Sequence, residues 1–181
     1  MLRKLLIITC LSTTVLVAYA DKKNKSKNET AQKEGVDDTS TNHKVLGSPM
    51  PRIYATTAKN EKITTKDMAN DANLFVMLFN PTCEHCQDET RLIMSNMDKF
   101  QKSKVLLLAT DNMMSYLSFF DATTGVNKEP RIKVAIDSAN FVNKTFTYDG
   151  LPQINIYNKE RVLIKQFHGD QPMDSLARFI E

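Results

Sequence analysis

The sequence contains few cysteines and histidines, the residues that cross-link small secreted domains or bind transition-metal ions. Among 181 residues there are three cysteines and three histidines. Cys83 and Cys86 stand three positions apart, and Cys10 lies near the N-terminus. A disulfide-stapled scaffold needs several spaced cysteines, so that class of protein is excluded. No second Cys-x-x-Cys and no spaced histidine pair is present, so the sequence does not favour a zinc site.

A strong charge of one sign is also lacking. The formal net charge is +3, and residues 1–20 hold two bases and no acid. Without them, 22 basic residues face 21 acidic ones, which is a net charge of +1. This near-neutral balance gives no reason to propose nucleic acid as a partner.

The longest apolar run near the N-terminus is too short for a typical membrane span. Met1–Lys4 carry two positive charges, Leu5–Val17 are uncharged and mostly apolar, and Ala18–Ala20 form a small-residue cleavage pattern. A spanning helix needs about 20 apolar residues. We therefore interpret residues 1–20 as a signal peptide, and expect a periplasmic or otherwise exported protein. The alternatives are an uncleaved anchor and lipidation at Cys10, either of which would tether the protein to the membrane.

The next segment is polar, and the remainder has the pattern of one domain. Between residues 21 and 44 only Ala31 and Val36 are apolar. Such a stretch has little to bury, so we predict a flexible polar linker over residues 21–49. Residues 50–181 are then long enough for a domain with its own core.

Strand and helix patterns alternate through that domain. A hairpin is predicted around Lys59-Asn60. The buried or half-buried strands predicted after it are Leu74–Phe79, Val105–Ala109, Ile132–Ile136, Gln153–Tyr157 and Val162–Phe167. A short helix through Met68 is predicted with Thr65 as its cap, and a longer one over Cys83–Phe100. Further helices are predicted over Asn112–Asp121 with Asp111 as its cap, from Asp137 or Ser138 to about Phe146, and after Asp170 as a cap. This order predicts an α/β fold with a mixed sheet, in which Gln153–Tyr157 is half-exposed.

Cys83-Glu84-His85-Cys86 follows a buried strand directly and opens a helix. Free N–H groups and the positive dipole end at a helix N-terminus favour a thiolate, which is the species that attacks a disulfide. We predict that Cys83 is the exposed nucleophile and Cys86 the resolving thiol. A structural disulfide would close too short a loop to stabilise the domain greatly. Haem attachment needs a histidine after the second cysteine, and Gln87 stands there.

From Pro51 to Glu181 the chain resembles the thioredoxin superfamily. The strand, the Cys-x-x-Cys, the helix, and then Leu151-Pro152 before a hairpin and a final helix follow the order of that family. The resemblance implies a three-layer fold with a central mixed sheet flanked by helices. It also implies a cis peptide bond at Pro152, facing the cysteines, and a substrate strand bound beside Leu151.

The TlpA/ResA-like exported branch is the part of the family that the chain resembles. The Ser48–Pro51 lead-in, a strand–helix insertion over Ile132–Phe146 and the Cys-Glu-x-Cys form with Glu84 support this resemblance. It implies that Glu89 handles protons near Cys86. Glu84 and His85 are expected to face the substrate.

Two positions depart from the family pattern. Thr82 replaces the usual tryptophan before the first cysteine, and the chain has no tryptophan at all. Met77 stands where thioredoxins carry a buried aspartate, which leaves Glu89 as the candidate carboxylate. His85 is expected to be an exposed loop residue, mostly uncharged near neutral pH.

The predicted activity is thiol–disulfide exchange with protein substrates outside the cytoplasm. It needs no cofactor beyond the redox-active Cys83–Cys86 disulfide. A membrane-linked thiol reductase or oxidase is the expected redox partner. Because the charge of Glu84 opposes a thiolate at Cys83, we expect a reductant rather than a strong oxidant. The alternative is a metal-binding protein or metallochaperone that uses Cys83, Cys86 and a histidine.

Overall fold

The computed structural model describes residues 43–139 and 150–181. The predicted signal peptide, residues 21–42 of the predicted linker and most of the predicted helix up to Phe146 lie outside the described residues. Within these two ranges, no helix is both long and apolar enough to cross a membrane.

In the part of the chain that the structure describes, seven strands form one mixed sheet. Their bounds are β1 Tyr54–Thr56, β2 Lys62–Thr64, β3 Leu74–Leu78, β4 Lys104–Ala109, β5 Ile132–Asp137, β6 Gln153–Tyr157 and β7 Leu163–His168. The order across the sheet is β2-β1-β5-β4-β3-β6-β7. β3, β4 and β5 are parallel, and the remaining pairs are antiparallel. The predicted mixed sheet is confirmed, and so is the hairpin, at whose tip Asn60 has φ 63°.

Strand register places the C-terminal ends of β3, β4 and β7 and the start of β6 at one end of the sheet. Leu78, at the end of β3, pairs with Leu108 of β4 and with Gln153 at the start of β6. Gln153 in turn pairs with His168 at the end of β7. The segments after β3 and β7 and before β6 therefore meet at this edge, where Cys83 and Pro152 lie.

Within the described residues, three α-helices accompany the sheet: α1 Glu84–Ser95, α2 Leu117–Thr124 and α3 Met173–Ala177. α1 ends before the predicted Phe100, and the chain continues in turns that still bury Met97 and Phe100. A 3-10 helix over Asp111–Tyr116 precedes α2, so the prediction of an α-helix capped by Asp111 is wrong. The cap residue there is Thr110, whose hydroxyl donates to the Asn112 side chain at 2.6 Å. Its Oγ1 therefore bonds another side chain, and not the helix backbone.

Two further predictions of local structure are wrong because tertiary contacts use the side chains concerned. Thr65 does not cap a helix; its Oγ1 accepts the N–H of Ile53 at 2.8 Å, and the segment around it forms turns. Asp170 does not cap the last helix either. The N-cap of α3 is Pro172, which has no side-chain capping bond.

β6 is wholly buried, although its alternating pattern predicts a half-exposed strand. It lies between β3 and β7, and apolar clusters cover both of its faces, with Ile154 in one and Tyr157 in the other. Its polar side chains bond one another, since Asn155 Oδ1 accepts from Gln153 Nε2 at 3.0 Å and from Gln166 Nε2 at 2.8 Å. Sequence alternation alone could not distinguish this internal pairing from contact with water.

The core has two parts, one on each face of the sheet. The larger cluster joins the helices to the sheet and includes Cys86, Ile93, Phe120 and Leu176. The second cluster packs Met50 and other residues from before β3 against the opposite face of the strands. α1 is therefore fixed on a buried base, with its N-terminus at the edge where the strand ends meet.

The segment before Met50 belongs partly to this hydrogen-bonded fold. Gly47 N–H donates to Leu163 O at 2.8 Å, and Leu163 N–H donates to Ser48 O at 2.8 Å. Pro49 forms a bridge with Val162. The ordered backbone pairing therefore extends to Gly47, within the range that the sequence assigns to the linker.

Candidate thiol redox site

A tight turn after β3 positions the first cysteine. Asn80 Oδ1 accepts from the N–H and the hydroxyl of Thr82, both at 2.9 Å, and Cys83 N–H donates to Asn80 O at 3.0 Å. Cys83 is the N-cap of α1, and its Sγ accepts from the N–H of Cys86 at 3.4 Å. The sulfur therefore occupies the place where unpaired helix N–H groups favour negative charge.

The two thiols differ in their access to solvent. Both are free, Cys83 is partly exposed, and Cys86 is 0% exposed. Burial raises the pKa of Cys86 far above its ordinary value, and hydrogen bonding to Cys83 raises it further. Of these two thiols, Cys83 is the one that a large molecule can reach, and burial favours the protonated form of Cys86.

Leu151 and Pro152 lie opposite the cysteines, and the peptide bond between them is cis, as predicted. Leu151 O is 3.9 Å from Cys83 Sγ. Leu151 is partly buried and packs against both core clusters. A backbone acceptor thus stands beside the accessible sulfur.

Glu89 lies one turn after Cys86 in α1 and is 2% exposed. Its Oε2 accepts the N–H of Gln171 at 2.9 Å, whereas Oε1 is buried without a hydrogen-bond partner. Burial raises the pKa of Glu89 to about 7; the nearby Asp170 carboxylate adds to this, and the bond from Gln171 opposes it. A carboxyl group with this pKa can hold or release a proton at neutral pH.

His85 is exposed but has a partner, which the sequence did not indicate. Its Nδ1 is 2.6 Å from Asp170 Oδ2. The hydrogen bond and the charge of Asp170 raise the pKa of His85, and the charges of Glu84 and Asp88 act in the same direction. The partner is 85 positions away in sequence, so the residues around His85 could not indicate that its pKa lies above the ordinary value.

Glu84 is exposed in the first turn of α1, as expected for a residue between the cysteines. Met77 is fully buried in the cluster that contains Cys86, so β3 brings no carboxylate to the pair from that position. No group of three or more His, Cys, Asp or Glu side chains in the described ranges is arranged to hold a metal ion.

Three consecutive residues contact the site and were not identified from the sequence. Gly169 N–H donates to Pro152 O at 2.8 Å, Asp170 binds His85, and Gln171 N–H binds Glu89. Gly169 has φ 70°, a value that side-chain-bearing residues rarely adopt. The Gly-Asp-Gln sequence was the only available signal, and it also fits an ordinary turn before a helix.

Several solved structures share this arrangement of strands and helices. The thioredoxin domain of a thiol-disulfide oxidoreductase from Bacteroides vulgatus superposes with a TM-score of 0.64 at 15% identity, covering 76% of this chain and 99% of that one. StoA from Bacillus subtilis superposes with a TM-score of 0.58 at 14% identity, covering 71% and 96%. No family model and no curated protein matches the sequence. The chain therefore has the thioredoxin-like fold that its sequence resembles.

Proposed function

We propose that the protein is an exported thiol–disulfide oxidoreductase that uses Cys83 as nucleophile and Cys86 as resolving thiol. The observation that carries this proposal is the pairing of a partly exposed thiol at the N-cap of α1 with a buried thiol one turn further on. The Leu151 backbone supports it, because its carbonyl oxygen lies 3.9 Å from Cys83 Sγ, where a substrate strand needs a backbone partner.

The exchange proceeds in two displacements. The Cys83 thiolate attacks one sulfur of a substrate disulfide, forms a mixed disulfide and releases the other substrate sulfur as a thiolate. Cys86 then loses its proton and attacks Cys83 Sγ, which breaks the mixed disulfide and releases the second substrate thiolate. Two electrons pass from the dithiol to the substrate, and the protein is left with a Cys83–Cys86 disulfide.

The proton of Cys86 needs an acceptor, because burial strongly disfavours its thiolate. Glu89 lies on the same helix face, three positions on, and its pKa of about 7 allows it to accept a proton at neutral pH. We assign this role to Glu89. The two substrate thiolates take up protons from solvent.

The charges around Cys83 favour a reductant over a strong oxidant. The His85 ring lies 2.6 Å from the Asp170 carboxylate, so the negative charge of Asp170 weakens the pull of a protonated His85 on the Cys83 thiolate without removing it. Glu84 remains beside Cys83 and opposes the thiolate, which lowers the reduction potential. A potential near about −270 mV is expected, and one near about −120 mV would contradict this direction.

Trapping of intermediates tests the proposed function. Cys86→Ser should accumulate mixed disulfides with substrate, because the resolving attack is lost, whereas Cys83→Ser should accumulate none. The measurement is non-reducing electrophoresis after reaction with a disulfide-containing protein. Trapping by Cys83→Ser and not by Cys86→Ser would reverse the two roles, and trapping by neither would reject the function.

The metal-binding alternative has a separate test. Zinc or copper stoichiometry is measured against free-thiol count in the purified protein. One tightly bound ion per chain, protecting both thiols, would support a metallochaperone. An unchanged thiol count without bound metal supports thiol exchange.

Protein thiols and disulfides outside the cytoplasm are the proposed substrates, and a membrane-linked thiol reductase is the proposed source of electrons. The N-terminal pattern of residues 1–20 supports export. Fractionation of producing cells, with detection of the N-terminus by mass spectrometry, distinguishes cleavage, lipidation at Cys10 and an uncleaved anchor.

A further inference from the structure

The loop after β7 contacts three separate parts of the candidate redox site. Gly169, Asp170 and Gln171 bond in turn to Pro152, His85 and Glu89, at 2.8, 2.6 and 2.9 Å. His85 and Glu89 are four positions apart in α1 and so lie on one face of the helix. The three-residue loop thus spans from the proline segment to the first two turns of α1.

The loop is also hydrogen-bonded within itself. Gln171 Nε2 lies 3.0, 3.1 and 2.9 Å from the carbonyl oxygens of His168, Gly169 and Asp170, and its two hydrogens are shared among these three acceptors. These contacts fold the side chain back over its own backbone. Asp170 therefore faces His85 from a turn that its neighbour Gln171 stabilises.

We propose that Asp170 is a positioning residue of the redox site, which orients the ring of His85 through their hydrogen bond and joins it to the loop that binds Glu89. This inference rests on the proposed thiol–disulfide exchange. Asp170 touches neither sulfur directly in the structure, so it acts through His85 and through its charge.

Three carboxylates act on His85. Asp170 faces it from the loop, and Glu84 and Asp88 act on it from α1. Asp88 also pairs with Arg91 at 2.5 Å, which offsets part of its effect. The Asp170 carboxylate also opposes ionisation of Cys86 and Glu89. The Asp170 carboxylate therefore raises the pKa of three groups in α1: His85, Cys86 and Glu89.

The consequence is a coupling between the ion pair and thiol chemistry. An imidazolium beside Cys83 favours its thiolate, and that contribution is lost as pH rises through the His85 titration. Asp170 raises the pKa of His85, so the stabilising effect of a protonated His85 on the Cys83 thiolate is lost at a higher pH than it would be without Asp170. The pH dependence of Cys83 reactivity should therefore carry an inflection from His85 whose position Asp170 sets.

Asp170→Asn tests this directly, because asparagine has nearly the same shape and can still accept the bond from His85. His85→Gln, the double variant Asp170→Asn/His85→Gln and the control Asp174→Asn complete the set. Asp174 is an exposed carboxylate in α3 that neighbours the same loop in sequence. The readouts are the NMR titration of the His85 ring and the rate of Cys83 alkylation between pH 5 and pH 9, a range chosen to span the unperturbed histidine pKa of about 6.5.

Asp170→Asn should move the His85 titration and the matching inflection in alkylation rate to lower pH, while Asp174→Asn leaves both in place. His85→Gln should remove the inflection, and adding Asp170→Asn to it should not restore or shift one. An unchanged His85 titration in Asp170→Asn overturns the proposal, as does an inflection that moves equally with and without His85. A lowered melting temperature with unchanged titrations would show a purely structural role, which also overturns it. The NMR titration does not depend on catalysis, so failure of the proposed function would appear separately as an absence of disulfide reduction by every form, wild type included.

Discussion

Replacing Glu89 by glutamine should make the protein more stable relative to wild type as pH rises. Glu89 is 2% exposed and bonds Gln171 N–H through one oxygen, while the other oxygen has no partner. Glutamine keeps an oxygen for that bond and cannot ionise. The substitution therefore isolates the cost of placing a negative charge at this position.

The pKa of Glu89 is raised from 4.5 to about 7 in the folded protein. The folded state thus binds a proton more tightly than the unfolded state, so the stability from this group is fully present below pH 4.5 and falls as pH rises to about 7. At about 1.4 kcal/mol per pH unit, the loss reaches an upper limit of about 3 kcal/mol above pH 7. Any water that reaches the ionised carboxylate reduces this figure.

Urea unfolding of wild type and Glu89→Gln at about pH 5 and about pH 8 measures the effect. The difference between the two proteins should grow in favour of the variant by about 1–3 kcal/mol over that interval. A constant offset from the unpaired amide cancels in this comparison. Asp174→Asn, which removes an exposed carboxylate, should show no such growth. If wild type and Glu89→Gln change in parallel with pH, Glu89 is ionised throughout and the argument for its proton-accepting role fails.

Three further outcomes are expected. Deletion of residues 21–42 should change the melting temperature by no more than about 1 °C. Deletion of residues 21–49 should lower it by several degrees, because it also removes the hydrogen bond from Gly47 to Leu163. Equal melting temperatures for the two deletions would contradict a stabilising role of this bond. Arg161→Lys should lower the free energy of unfolding in urea by about 2 kcal/mol, because one ammonium group cannot replace a guanidinium that donates to four oxygens. A change near zero would show that these hydrogen bonds contribute little to stability. His85→Pro should lower the reduction potential by on the order of 20 mV, measured against glutathione, since the imidazolium is lost; a potential that rises or stays the same would place His85 outside the electrostatics of Cys83.

Local sequence signals predicted the parts of the site that lie close together along the chain. The apolar run before Asn80 and the cysteine spacing were enough to predict an exposed Cys83 at the start of a helix, and the structure has a partly exposed Cys83 as the N-cap of α1. The cis bond before Pro152 was implied only by the family resemblance, and it is also observed. Neither cysteine needed a long-range partner to be recognised.

The errors arose where a polar side chain had two possible partners. Thr65 and Asp170 both stand before segments that look helical, so the sequence predicts each as a cap. In the structure, Thr65 bonds Ile53 and Asp170 bonds His85. A capping residue is recognised from the few residues after it in sequence, and a competing partner from another element is invisible at that level.

The sequence by itself determined the strand-forming runs, the position of the thiol pair and the order of the elements. These features follow from periodicity and spacing over a few residues, and the resemblance to the thioredoxin superfamily rests on them. Only the tertiary structure decided the electrostatics of the site. It buried Glu89 against Gln171 and joined His85 to Asp170, across 82 and 85 positions of sequence. Those contacts depend on strand register at one edge of the sheet, where Gln153 pairs with His168 and Leu78. The charge state of a group is set by its surroundings in space, and the folded chain alone supplies those surroundings.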